Sequence, residues 1–353
     1  MVTSYTTGLA GVYGTGNYGF VFCGFCAWIF FTIQILLTMV RRAFWNFFAY
    51  THLLLACIAI VFACIHHYHV LLHLSASLFL YFIDYAFRKI SFLIPAKIID
   101  MKPMAGGITR VEIHSFLSRF AKPGQYVFIY FPQASLFGRN PFSISSKTGI
   151  DTFTLHIKGM KGKCLPTFTN QLQKFATKVE EGQKNPFFIR IEGPYGNPSI
   201  RLDNYKVLML VSGGIGITPN ASMLQHMLKK IKEGKLPNLE KVYFVWSTRT
   251  IESLEWFREL FEECAQEEKI ELKLCLSKAP KEDFDSKIPY IQGRPQYSEI
   301  MSEIHENHPS VKYFGCGACG PGAMVSKVET LCWSNSFNSI KRQWHFHKES
   351  FLL

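Results

Sequence analysis

Val207-Leu-Met-Leu-Val-Ser-Gly213-Gly214-Ile-Gly216-Ile-Thr218-Pro219 constrains this chain more than any other stretch. Five apolar residues read as a buried strand and the glycines as a turn. Thr218-Pro219 reads as a helix start, with Thr218 at the N-cap and Pro219 at the first helical position. Such a unit lets backbone approach a dinucleotide closely and aims unpaired N–H groups at its phosphates. Gly213, Gly214, Gly216, Thr218 and Pro219 are therefore candidate ligand contacts.

Composition limits what surrounds that unit. The 353 residues carry a formal net charge of +12, yet 48% are hydrophobic and 15% aromatic, which excludes a basic disordered tail. The N-terminal quarter is too apolar for nucleic-acid binding and the cations elsewhere are scattered, so no nucleic-acid partner is expected. Ten cysteines show no disulfide-framework spacing, which fits a reducing cytosolic setting for the soluble part. Cys23, Cys26, Cys57 and Cys64 sit in apolar runs as small hydrophobes, and Cys316-x-x-Cys319 lacks the second pair that a zinc site needs.

Gly19 to Val40 is 22 residues without a charge, long enough to cross a bilayer. Phe47 to Ile65 gives a second span and about Val70 to Phe87 a third, with Asp84 near its end. Arg41-Arg42 and Arg88-Lys89 follow the first and third, so the positive-inside rule sends the rest of the chain to the cytosol. The expectation is a multi-pass membrane protein, of the plasma membrane, with the lipid bilayer as a partner. Residues 1–18 lack a basic n-region, so a cleaved leader is not expected.

His52 and His66 lie on the second span. Their 14-residue separation is about 1400° of helix, roughly 40° short of whole turns, and ~21 Å of rise. Ionisable residues at such depths are expensive and are functional candidates. Two imidazoles on one face suit metal ligation, here the axial ligation of two stacked b-type haems. Covalent attachment is not indicated, since Cys-x-x-Cys-His is absent. Two alternatives stay open: histidines at span ends touching water or headgroups, and an outer metal cluster of His66, His67, His69 and His73. Residues 1–45 contain no histidine, so facing haem ligands must come from elsewhere.

From residue 91 the pattern becomes short alternating segments at 125–131, 142–145, 152–157 and 187–191, which predicts an antiparallel β-barrel of roughly 100 residues. Beyond residue 202, strands at 207–211, 241–247, 270–276 and 311–315 alternate with helices at 219–232, 253–267, 296–306 and 321–332. That predicts a doubly wound α/β domain with its ligand at the strand C-termini. The expected domains are 1–90 in the membrane, 91–201 as the barrel and 202–353 as the α/β domain. Arg249 ends the second strand, where an acidic residue would suit the ribose 2′-hydroxyl of NAD; an arginine favours the 2′-phosphate of NADPH, and Arg294 can add a contact.

Arg41-Arg-Ala-Phe-Trp-Asn-Phe-Phe-Ala-Tyr-Thr-His52, Leu80-Tyr-Phe-Ile-Asp84, Gly124-Gln-Tyr126, Asn140-Pro-Phe-Ser143, Glu192-Gly-Pro-Tyr-Gly196, Gly213–Pro219, Trp246-Ser-Thr-Arg249, Gly293-Arg-Pro295 and Cys319-Gly-Pro321 follow one another in order. In that order they resemble the ferric reductase/NADPH oxidase superfamily over nearly the whole chain. His345-Phe-His-Lys-Glu-Ser-Phe351 resembles the oxidase branch. The first span resembles the family's fourth, as though preceding helices were missing.

The resemblance implies a ferredoxin-NADP reductase-like pair of domains binding FAD and NADPH. It implies that Phe142 of Asn140-Pro141-Phe142-Ser143 lies against the flavin ring, with Ser143 near its N5. Arg139, His156 or Lys158 would hold the FAD diphosphate. Cys319, with Gly320 and Pro321, would lie beside the nicotinamide, and Phe351 would stack on the other flavin face; Leu352-Leu353 follow it. Asn140 stands where histidine or arginine is usual, and Leu165 where a hydroxyl residue is usual, which bears on the tightness of FAD binding and not on its site.

The function so implied is electron transfer from NADPH through FAD and haem b to dioxygen, giving superoxide or hydrogen peroxide. Ferric-chelate reduction shares every motif but the terminal aromatic. Two further alternatives are a haem-deficient, non-catalytic companion of a full-length oxidase and a tethered NADPH diaphorase.

Overall fold

The structure, a computed structural model, describes residues 18–41, 45–67, 69–131, 139–146, 149–160, 167–180, 189–197, 200, 202–278, 288–337 and 342–349. Phe351, Leu352-Leu353, Arg42 and Gly162–Leu165 lie outside them, as does the Arg139 side chain.

The described residues from 18 to 87 belong to one compact unit. Helices α1 (Tyr18–Val40), α2 (Trp45–His66) and α3 (His69–Leu93) occupy the three apolar runs. Two stretches are long and apolar enough to cross a bilayer, Gly19–Val40 and His69–Ile90; between them Tyr50–His66 is a shorter apolar stretch among the described residues. The α3 helix continues past the expected end at Phe87 because nothing before Pro95 interrupts the backbone hydrogen bonds. Helices α1 and α2 run antiparallel: Gln34 meets His52 near one end, and Phe20 and Gly24 meet His66 near the other. A Cβ on Gly24 would stand 2.9 Å from the His66 ring, so glycine there sets how closely the helices approach.

The second unit begins with a six-stranded antiparallel sheet. Its strands are β1 (Pro95–Met104), β2 (Ile108–Ser115), β3 (Tyr126–Tyr130), β4 (Arg139–Ser143), β5 (Thr152–Lys158) and β6 (Ile189–Tyr195). They run in the order β4-β3-β6-β1-β2-β5, and an Ile144–Leu155 bridge joins the two ends into the expected barrel. Inward residues such as Val111, Ile113, Val127, Ile129, Leu155 and Ile191 fill it. Helix α4 (Phe168–Glu180), which the strand patterning did not reveal, packs Phe168, Leu172 and Ala176 against that core.

The α/β domain is a six-stranded parallel sheet in the order β10-β9-β8-β7-β11-β12. Its strands are β7 (Val207–Gly213), β8 (Lys241–Thr248), β9 (Ile270–Leu276), β10 (Ile291–Gln292), β11 (Tyr313–Cys319) and β12 (Gln343–Glu349). Every residue of β7 is buried because both faces are covered. Leu208 and Leu210 face one core with Val242, Phe244 and Trp246; Val207, Met209 and Val211 face the other with Tyr243 and Val245. Helices α5 (Ile217–Lys232) and α6 (Arg258–Ala265) cover the first face, and α7 (Tyr297–Asn307) and α8 (Gly322–Phe337) the second. Three expectations are corrected. The strand expected at 311–315 runs to Cys319, the 253–267 segment opens as a 3-10 turn over Ile251–Phe257, and β10 and β12 extend the sheet at its edges.

The glycine turn differs from the sequence reading in its helix start. A 3-10 turn over Gly214–Gly216 leads directly into α5, whose N-cap is Gly216. Thr218 is thus inside the first turn, its hydroxyl donating to the Ile215 carbonyl at 3.3 Å. Pro219 is tolerated at the third position because the first four N–H groups of a helix have no intrahelical acceptor. A Cβ on Gly216 would stand 2.7 Å from the Cys319 carbonyl oxygen and 2.8 Å from Gly320 Cα, both backbone atoms. Gly216→Ala is therefore expected to destabilise the protein by about 1–3 kcal/mol. Gly214→Ala, which meets open space but sits at φ +53, is expected to cost about 1 kcal/mol. Urea midpoints of the two variants check the order.

Candidate functional site: a cationic cleft at the strand C-termini

The β7, β8, β9 and β11 strands all end at one cleft of about 1070 Å³. Its floor is the Gly213–Gly216 turn beside Gly320-Pro321, and its walls carry the hydroxyls of Ser247, Thr248, Thr250, Ser253 and Ser277. Four cations line it: Lys158 at the end of β5, Arg249 just past β8, Arg294 just past β10, and Lys327 on α8. No carboxylate is among its lining residues. Four positive groups, a row of hydroxyls and a helix N-terminus form a receptor for phosphates. Sequence reading points to Arg249 and Arg294 here; Lys158, which the resemblance implies for the FAD diphosphate, lines this cleft as well, and Lys327 is missed because its helix position gives no motif signal.

The three glycines divide the labour. Gly213 and Gly216 have no room for a side chain: a Cβ at Gly213 would stand 2.7 Å from Pro321 Cδ. Gly214, at φ +53 with nothing within 4 Å, is the backbone left open to a ligand. The three together leave the β7–α5 turn touching the β11–α8 turn.

Cys319 is the last residue of β11 and is fully buried, paired in register with Ser212 and Glu349. Burial, reinforced by Glu349, pushes its thiol up to about 12. It is a neutral group under the Gly320-Pro321 turn, not an open thiol of the cleft wall.

The barrel contributes across the cleft's edge. Ala105 accepts a hydrogen bond from Trp256 Nε1 at 3.0 Å, and the Gln225 and Ser222 side chains of α5 donate to the Ser145 and Ser146 carbonyls, both at 2.9 Å. These bonds fix the barrel against the α/β domain, so Gly106 and Lys158 reach the cleft.

His156 lies inside that contact, and its expected role is corrected. Its Nδ1 pairs with Ser145 Oγ at 2.7 Å and its ring lies 4.4 Å from that of Phe257, while Nε2 is buried without a hydrogen bond. Burial, helped by the Arg110 charge, lowers its pKa to about 3, with the Trp256 backbone opposing. It is neutral and enclosed, so it supplies no charge to a diphosphate. Period-two patterning makes it an outward residue of β5, as it is, but cannot show that the α/β domain covers that face.

Asn140, Pro141, Phe142 and Ser143 lie on β4. Phe142 pairs in register with Val127, which faces the barrel core, and its half-buried ring stacks on Phe168 at 5.9 Å. Ser143 is buried and pairs with Tyr126. Beside that pair, Tyr126, Phe128 and Tyr195 form an aromatic wall, with ring centroids 5.7 to 6.1 Å apart. This half-buried cluster of edge-to-face and tilted rings beside Ser143 is not revealed by the motif letters alone.

In the first unit, His66 Nδ1 donates to the Phe20 carbonyl at 2.7 Å, which leaves Nε2 with its lone pair, the state a metal needs. His52 differs. One nitrogen, Gln34 Nε2, donates both to the His52 carbonyl at 3.1 Å and to Nδ1 at 3.0 Å, which places the ring proton on Nε2. Both histidines face α1, as their spacing predicted, but α1 offers no facing imidazole. Among the described residues no group of three or more His, Cys, Asp or Glu gathers as a metal site, which corrects the outer-cluster reading. His66 therefore fits an axial ligand, and the pair as it stands does not complete a haem site.

Solved structures share the fold of the second unit. A ferredoxin NADP+ reductase from Neisseria gonorrhoeae with bound FAD and NADP matches at TM-score 0.52 and 15% identity, over 72% of this chain and 97% of that one. The flavohem-like FAD/NAD binding domain of a nitric oxide dioxygenase from Vibrio cholerae matches at 0.51 and 15%, over 72% and 99%. The barrel followed by the parallel sheet is the two-domain architecture that these structures share.

Residues 100–199 match the FAD-binding domain family and 205–288 the ferric reductase NAD binding domain family, together just over half the chain. Human NADPH oxidase 4 is 28% identical over 305 residues, which are 79% of this chain and 51% of that protein. Human dual oxidase 2 is 25% identical over 83% of this chain and 21% of its own length. A superoxide-generating NADPH oxidase heavy chain of Dictyostelium discoideum is 28% identical over 65% of this chain and 37% of its own. The chain belongs to the ferric reductase/NADPH oxidase superfamily, and it spans about half or less of these relatives.

Two outcomes test the site. Arg249→Ala is expected to raise the Kd for NADPH about 10- to 100-fold while leaving NADH binding almost unchanged, as for loss of a charged hydrogen bond; titration calorimetry with both nucleotides checks it. His156 has a folded pKa below its unfolded value, so the unfolded state binds the extra proton. Stability is full above pH 6.5 and falls as pH drops from 6.5 toward 3. Between pH 7 and pH 5 this group alone is expected to remove about 2 kcal/mol. Urea unfolding of His156→Gln should show a flatter pH dependence than the parent chain.

Proposed function

We propose that this chain is the electron-transfer part of a membrane NADPH oxidase: it accepts hydride from NADPH onto FAD and delivers single electrons to dioxygen, giving superoxide or hydrogen peroxide. The observation that carries the reading is the cleft whose four cations surround an open glycine turn, against a barrel that matches the FAD-binding domain family. FAD, when bound, converts the two-electron chemistry of the nicotinamide into one-electron steps.

The residues act as binding and positioning groups. Arg249, just past β8, and Arg294, just past β10, would hold the 2′-phosphate of NADPH, and Lys158 and Lys327 would neutralise the remaining phosphate charge. Gly214 and the amides of the α5 start take the diphosphate. Ser143, beside the Tyr126–Phe128–Tyr195 wall, offers a hydroxyl to the flavin edge. The neutral Cys319 thiol underlies the nicotinamide end without adding a competing charge.

The membrane reading rests on Gly19–Val40 and His69–Ile90, each long and apolar enough to span. A b-type haem is the finest element of the proposal. His66 is in the state an axial ligand needs and His52 is not, so no step is assigned to it.

Purified full chain, supplied with FAD, is expected to oxidise NADPH and to reduce a tetrazolium dye in a superoxide-dismutase-sensitive manner. Ferrous-chelate formation that dismutase leaves unchanged, with no superoxide signal, would reassign the acceptor to ferric iron. For haem, His66→Leu is expected to remove the reducible Soret band of haemin-loaded protein; a parent chain with no such band sinks the haem assignment and leaves the flavin step standing.

A further inference from the structure

At one end of the barrel two aromatic side chains stand in water. Phe116 and Phe120, on a 3-10 turn over Phe116–Phe120, are 52% and 60% exposed, and their rings meet edge to face at 5.3 Å. Ile150, 47% exposed, is on the neighbouring loop, tied to this end by Ser115 N–H donating to the Asp151 carbonyl at 3.0 Å. Arg119 stacks over Phe116 at 5.6 Å and holds the Asp151 carboxylate. Lys97 and His114, paired in register, and Lys122 are exposed beside these aromatics, and Asp151 is the acid that Arg119 holds there. Isolated exposed apolar residues are ordinary; adjacent aromatics ringed by cations are the pattern of an interfacial anchor.

Strand register shows where this patch lies relative to the chain's exit from α3. Ala96 pairs with Ser115 and Lys97 with His114, so Phe116 emerges beside the first residues of β1. Strand β1 begins at Pro95, two residues after α3 ends at Leu93. From Lys89 of the basic pair to Pro95 the helical rise is only about 9 Å, against a polar headgroup layer roughly 5–8 Å deep on each side. The short connection from Lys89 to Pro95 therefore keeps the start of β1, and Phe116 beside it, close along the chain to a span that ends at Arg88-Lys89.

We infer that Phe116, Phe120 and Ile150 insert into an anionic lipid surface, with Lys97, Arg119 and Lys122 against its headgroups. The inference rests on the membrane reading of α3. Anionic lipid, rather than a second copy of the chain, is the occupant because charge and connectivity both point to it. Each Lys or Arg near such a surface multiplies the bound population about fivefold.

The test is hydrogen exchange on the full chain in lipid nanodiscs, with phosphatidylcholine alone or with about 30% phosphatidylserine, compared with detergent micelles. Amides of 114–122 and 149–151 are expected to exchange roughly tenfold more slowly in the anionic discs. Phe116→Ser/Phe120→Ser and Lys97→Gln/Lys122→Gln should each lose most of that protection while retaining bound flavin. Equal protection in neutral discs, or concentration-dependent protection in micelles as a dimer would give, overturns the assignment. So does absence of protection at 114–122 while 19–40 and 69–90 stay protected. Rapid exchange in those two helices instead overturns the membrane reading itself.

Discussion

Everything in the cleft depends on two backbone turns touching. The β7–α5 turn and the β11–α8 turn meet so closely that a single Cβ on Gly216 would overlap the Cys319 carbonyl, and one on Gly213 would overlap Pro321. That contact can form only because β7 and β11 are neighbours in the sheet and end at the same level, with Cys319 in register with Ser212. Once it forms, Gly214 is the free backbone on the floor, and Arg249 and Lys327 line the same cleft. Cofactor binding here is the outcome of strand register and glycine placement, and the charged side chains act on a surface already shaped.

Charge is handled in two ways in the same unit. Where phosphate is to bind, the cations line a cleft whose described walls carry no carboxylate. Where domains join, the titratable group is made neutral: His156 is enclosed by Ser145 and Phe257, and its pKa falls to about 3. Burying a charge between two domains would need a partner or a large desolvation penalty. An uncharged imidazole avoids both and still accepts or donates one hydrogen bond.

The three-part organisation was legible from periodicity and apolar runs, and the nucleotide turn from its residues. Less legible was how one segment covers another. The pattern of β5 marks His156 as outward, and only the packed α/β domain makes it a core residue. The resemblance sets Phe142 against a flavin ring, while register with Val127 turns its half-buried ring toward Phe168. Helix α4 and the edge strand β12 carried no turn signal strong enough to separate them from loops. The His52–His66 spacing predicted a shared face correctly, but α1 was not predictable as its occupant, since helix pairing depends on a small residue, Gly24, and a single amide, Gln34.

Sequence by itself determined the local grammar: an uncharged run that must be helix where no water is present, an alternating run that must be strand, and a glycine turn that must leave N–H groups open. These follow from backbone hydrogen bonding and side-chain period, which need no distant partner. Tertiary structure alone decided which proton each histidine carries, which glycine remains open and which cations share one cleft. Those are properties of residues brought together from 158 to 327, and no local rule connects them until the sheet is assembled.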